Sequence, residues 1–216
     1  MHKHGKHGKL LPLEMITAVR CADRSVKHTL VEKVTTLFAN RLTATQLVDA
    51  LHTLGVPFLR GGSGVVYWAE PSVLLAGLAE SDEARLRLAL IPLLLTHPHF
   101  SADINIALKG LSPAAAITLR CYYTAAYWLQ SKYHARIERC LDAMPSLPDL
   151  FSAELALPSD VTAEQALHLL ATRQQELTGR VLNWHGTYEH ALKTWLQYLE
   201  LQHQWNQFPP TKLITS

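Results

Sequence analysis

The run Leu88-Ala89-Leu90-Ile91-Pro92-Leu93-Leu94-Leu95 is the longest purely apolar stretch in the chain, and it sets what the rest must do. It is far shorter than the roughly 20 residues that a membrane-crossing helix needs, yet as a helix it is apolar on nearly every side. Such a segment has to be enclosed by other elements, so the sequence places it at the centre of the fold. Ser81 is suited to cap a helix running from about Asp82 to Thr96, with Asp82 and Glu83 favouring its N-terminal end. Pro92 should bend that helix or divide it. A chain of 216 residues, 48% hydrophobic and 18% charged, can supply the enclosure, because a chain of this size buries about 70% of its extended surface. The same composition excludes a disordered chain, and the absence of a Gly-rich repeat excludes collagen.

Helix signals fill most of the remainder. Ser25 to Ala39 carries Val26, Leu30, Val34, Leu37 and Phe38 at helical spacing. Thr43 with Gln46 forms a capping box ahead of Leu47, Val48, Leu51 and Leu54. Pro71 suits a first helical turn, a short helix is expected over Ala102 to Leu108, and Ser112-Pro113 opens a long helix that can continue through Tyr133 to Leu141. Thr162 with Gln165 starts the first arm of a helical hairpin that ends at Gly179. Its second arm runs from Arg180 to about Gln204, with Val181, His185, Tyr188, Leu192, Trp195, Leu199 and Gln202 as the seam. Only Val56 to Arg60 and Val65 to Trp68, on either side of Gly61-Gly62-Ser63-Gly64, read as strands. The prediction is therefore an all-α, multi-helix bundle with one small β-hairpin near 56–68. Its parts are a disordered His/Lys tail at 1–9, a mainly helical domain at 10–144, a linker-like segment at 145–158 and the C-terminal helical hairpin at 159–207.

The formal charge is +2, from 20 Lys and Arg against 18 Asp and Glu. Lys3, Lys6 and Lys9 contribute three of the positive charges, so the body sits near −1. That is not the balance of a protein held to nucleic acid mainly by backbone charge. Two helices and a hairpin over 25–68 do form part of a winged helix, which leaves DNA binding as one reading; the outward residues of its second helix would be Gln46, Asp49, His52 and Thr53. Cys21, Cys121 and Cys140 form no close pair and read as reduced thiols. No apolar segment follows the basic start as a secretory leader requires, so a cytoplasmic location is expected.

Few residues present themselves as a site. Gly61 to Gly64 lacks the lysine and the following helix of a phosphate loop. His97 and His99 flank Pro98 and serve to end a helix, and the histidines of the tail could hold a metal only weakly; no metal and no cofactor are predicted. Arg180 and His185, with four residues between them, resemble the Arg-x4-His signature of the HEPN ribonucleases. That resemblance implies a metal-independent cleavage of RNA, with imidazole moving a proton and guanidinium neutralising the phosphate. Against it stands the reading of His185 as a residue of an apolar seam. Tyr123, Tyr127, Trp128, Tyr188, Trp195 and Trp205, with Trp184, are expected to form an interface to a protein partner or a second copy.

Pro71 to Ala79, Glu83 to Leu88, Leu90 to Leu95 with His97-Pro98, and Tyr122 to Gln130 together resemble a small family of uncharacterised bacterial helical proteins. Genes of that family often neighbour one for a minimal nucleotidyltransferase. The resemblance spans about Pro71 to Leu141 and brings no catalytic residues with it. It implies a non-catalytic helical interaction module that partners the nucleotidyltransferase in a two-component system of the toxin and antitoxin kind.

Overall fold

A computed structural model describes residues 41–141 and 145–207. The expected tail, the helix at Ser25–Ala39 and Cys21 lie outside the described residues. The described residues belong to one compact unit. Every regular element described in it is helical: α1 (Ala44–Thr53), α2 (Pro71–Glu80), α3 (Ala84–Leu88), α4 (Leu90–Thr96), a 3-10 turn (Pro98–Asp103), α5 (Ile104–Leu108), α6 (Pro113–Lys132), α7 (His134–Glu138), α8 (Ala163–Thr178) and α9 (Trp184–Gln207).

The apolar run lies at the centre, as its composition demands. Leu90, Ile91, Leu93, Leu94 and Leu95 are fully buried, and α4 packs against both α6 and α9. Pro92 divides the expected helix. Having no N–H, it cannot bond the carbonyl of Leu88, and the chain restarts at Leu90 so that Pro92 falls in a first turn, where no such bond is needed. The first part, α3, keeps Arg85 at the surface and buries Leu86. Around α4, the long α6 packs on α8, α2 and α9. Ala125 and Ala126 on α6 and Ala166 on α8 are fully buried, and small side chains let helices approach closely.

The β-hairpin at 56–68 is not formed, and no strand occurs among the described residues. The reason lies in α1, which supplies the hydrogen-bond partners that a second strand would have offered. Ser63 Oγ donates to Asp49 Oδ2 at 2.6 Å, Gly64 N–H donates to Asp49 Oδ1 at 3.3 Å, and Tyr67 N–H donates to Thr53 Oγ1 at 3.0 Å. His52 Nε2 lies 2.7 Å from the Leu59 carbonyl oxygen. The two segments are thus fastened to one helix rather than to each other. Without the hairpin the winged-helix pattern has no wing, and Asp49, expected to face outward, is buried beneath the loop.

The segment at 145–158 has no helix, yet it is tied to the body. Leu147, Phe151, Leu155 and Leu157 are buried, Tyr123 OH donates to the Pro148 carbonyl at 2.8 Å, and Gln130 accepts from Leu147 N–H at 2.7 Å.

Most of the aromatics expected at an interface belong instead to the core. Tyr123, Tyr188 and Trp195 are inaccessible, and Trp128 and Trp184 are buried. Trp128 Nε1 donates to Ser152 Oγ and Tyr188 OH donates to Gln174 Oε1, so their polar ends are satisfied within the chain. Tyr127 is half-buried, and of this set Trp205 alone is exposed.

Candidate functional site

Three helices bring a polar cluster together. Thr162 Oγ1 accepts from Gln165 N–H at 3.3 Å and starts α8, which places Glu164 in the first turn, where a carboxylate is favoured by the helix dipole. His168 follows one turn later on the same face. Asn183, rather than Arg180, begins the facing helix: its Oδ1 accepts from Gly186 N–H at 2.9 Å, so α9 starts at Trp184. His185, Glu189 and Lys193 then stand at successive turns of α9. Lys132 closes α6 and Tyr133 follows it.

Glu189 is the anchor of the cluster. Its side chain is 8% exposed and accepts from Lys132 Nζ at 2.6 Å and Tyr133 OH at 2.5 Å, while Lys193 Nζ lies at 2.7 Å. Burial alone would raise its pKa, but donation by Lys132, Lys193 and Tyr133 outweighs that effect and holds it at about 2. Lys132 also contacts Glu164 Oε2. Burial would lower the lysine pKa, yet hydrogen bonds to Glu164 and Glu189 raise it well above the ordinary value. Lys132 therefore remains an ammonium bridging two carboxylates.

The imidazoles of His168 and His185 are stacked, with centroids 3.9 Å apart and planes 3° from parallel. The Nε2 of each lies 3.3 Å from Glu164 Oε1. Burial lowers the pKa of His185, and the neighbouring His168 lowers it further. The cavity beside this pair is about 430 Å³ and is lined by Lys132, Tyr133, Glu164, His185, Glu189 and His190.

Arg180 is not in this cavity. It is exposed, precedes α9, and lines a second cavity of about 400 Å³ with Glu80, Asp82, Arg87, Tyr122 and Trp184. Its carbonyl accepts from Trp184 Nε1 at 3.2 Å. Arg180 and His185 therefore line separate cavities, whereas the Arg-x4-His reading needs them in one cleft.

Comparison with protein families, curated proteins and solved structures finds no match to this chain.

The other histidine pair behaves as a helix end. His97 follows α4, with Nε2 2.8 Å from the Leu54 carbonyl oxygen and its ring stacked on Phe100. Burial lowers its pKa. Cys121 and Cys140 are free thiols, and burial pushes Cys121 up to about 12. A thiol held there is inert as a nucleophile at neutral pH.

The residues missed from sequence are Lys132, Tyr133, Glu164, His168, Glu189 and Lys193. Part of their signal was legible, since Glu164 with His168, and His185 with Glu189 and Lys193, repeat at one-turn spacing. Nothing in the local pattern announces that Lys132, some thirty residues upstream of one column and nearly sixty upstream of the other, bridges them.

Proposed function

We propose that this chain is a non-catalytic helical interaction module that holds a protein partner through the segment Gly64–Trp68. The observation that supports this reading is an apolar cluster on a fastened loop: Val65, Val66 and Trp68 are 63%, 69% and 73% exposed. Large apolar side chains grouped at a surface mark contact sites more often than scattered ones do, and tryptophan is prominent among residues that dominate binding energy. The loop that carries them is held by Asp49 and Thr53. Less conformational freedom is then lost when a partner docks. Val65-Val66-Tyr67-Trp68 also has the composition of a strand without being paired as one. An extended segment of a partner laid beside it would satisfy that preference by adding a strand.

The partner implied by the family resemblance is a minimal nucleotidyltransferase. Mixing the chain with a minimal nucleotidyltransferase from the same genome should give a complex whose mass, by light scattering, is the sum of both. Val66→Asp with Trp68→Ser should abolish that complex while leaving the melting temperature unchanged. A complex that survives the double substitution, or no complex at all, would overturn the reading. Self-association of the parent chain that is lost in the same variant would make a second copy the occupant in place of the nucleotidyltransferase.

A further inference from the structure

We propose that Glu164, His168 and His185 hold a divalent transition metal ion of the zinc class at the meeting point of α6, α8 and α9. None of these three residues belongs to the proposed docking segment Gly64–Trp68. One ligand atom from each of the three residues lies within 4.8 Å of the others. The two imidazole nitrogens come from different helices and converge on one carboxylate oxygen, each 3.3 Å from Glu164 Oε1. Neighbouring ligand atoms around a tetrahedral ion, each about 2.1 Å from it, lie about 3.4 Å apart. The two separations from Glu164 Oε1 match that spacing, and the stacked rings, 3° from parallel, need only turn about their side-chain torsions to aim both lone pairs at one ion.

A second observation points the same way. His185 Nε2 is buried and makes no hydrogen bond, despite its closeness to Glu164. A buried nitrogen left without a partner costs free energy, and coordination would satisfy it. The carboxylate is also already oriented: Lys132 contacts Oε2 and leaves Oε1 for the ion, the kind of outer support that metal ligands commonly have. Two imidazoles and one carboxylate suit zinc, nickel or cobalt, whereas calcium and magnesium prefer oxygen donors throughout. Three protein ligands leave a fourth position, and the cavity shared with Glu189 lies beside it. The ammonium groups of Lys132 and Lys193 oppose the ion's charge. Binding should accordingly be weaker than in a closed structural site and reversible by a chelator.

The test uses the full chain with His2, His4 and His7 changed to Ala, so that the tail's imidazoles cannot contribute. Equilibrium dialysis against zinc chloride should give one zinc per chain, and zinc should raise the melting temperature. In that background His168→Ala, His185→Ala and Glu164→Gln should each weaken binding by at least about tenfold. His168 is exposed, so its alanine variant should fold normally and should show no zinc-dependent rise in melting temperature. Zinc that disappears with the tail histidines, or that binds the His168→Ala chain as tightly as its parent, would overturn the proposal.

Discussion

At the scale of single residues, two buried carboxylates organise their surroundings in different ways. Asp49 is 4% exposed and fastens the loop above α1 through Ser63 and Gly64. Removing it leaves those donors to find water, so Asp49→Ala should cost about 2 kcal/mol in urea denaturation. It should also speed tryptic cleavage after the exposed Arg60. Gly62 reports on the same contact, because a Cβ there would fall 2.3 Å from Asp49 Oδ1, and Gly62→Ala should loosen the loop likewise. Glu189, by contrast, is held ionised by three donors. Its folded pKa lies below the ordinary value of 4.5, so its contribution is complete above that value and is lost as pH falls toward about 2. The contribution is on the order of 2–3 kcal/mol. Stability measured by denaturant titration across pH should fall less steeply between pH 4.5 and 2 in Glu189→Gln than in the parent, and equal slopes would show that the carboxylate is not so held.

At the scale of elements, the boundaries legible in the sequence are those set by a side chain that bonds its own backbone. Thr43 with Gln46, Ser112 with Pro113, and Thr162 with Gln165 begin helices where expected, and Gly179 ends one at φ +64°. Boundaries fixed by longer-range partners were not legible. The hairpin failed because Asp49 and Thr53, on another element, took the loop's donors. Periodicity alone carries the second arm of the helical hairpin at 159–207 back to Arg180, whereas the cap at Asn183 starts it at Trp184. The expected continuation of α6 to Leu141 is interrupted at Tyr133, whose hydroxyl is turned to Glu189 on α9. The cluster at Glu164, His168 and His185 was half visible for the same reason, since columns on a helix can be read but not which columns meet. Two substitutions separate local from central roles. Thr162→Ala should cost about 1 kcal/mol, the value of a lost cap. Leu90→Asp should unfold the chain by placing an unpaired charge at the fully buried first residue of α4, and circular dichroism of a soluble, helical Leu90→Asp protein would show instead that α4 is peripheral.

At the scale of the molecule, the aromatic residues divide into those that hold the fold and those that stay exposed. The bundle buries Trp195 almost completely against the apolar core, whereas Trp68 and Trp205 are 73% and 68% exposed. The sequence places the seven aromatics expected at an interface along two helices without showing that α6, α8 and α9 close on most of them, because that closure depends on which faces meet. The consequence for energy is a sharp contrast between chemically identical residues. Trp195→Ala removes a large side chain from a packed interior and should cost about 3–5 kcal/mol. Trp68→Ala and Trp205→Ala remove little buried surface and should change stability by no more than about 0.5 kcal/mol. Urea denaturation of the three variants, each compared with the parent chain, checks both halves. A large loss at Trp68 would mean that the fastened loop holds the fold rather than a partner, and the docking role assigned to it would then fail. With stability unchanged in Trp68→Ala, any weakening of a complex by that substitution comes from the contact itself.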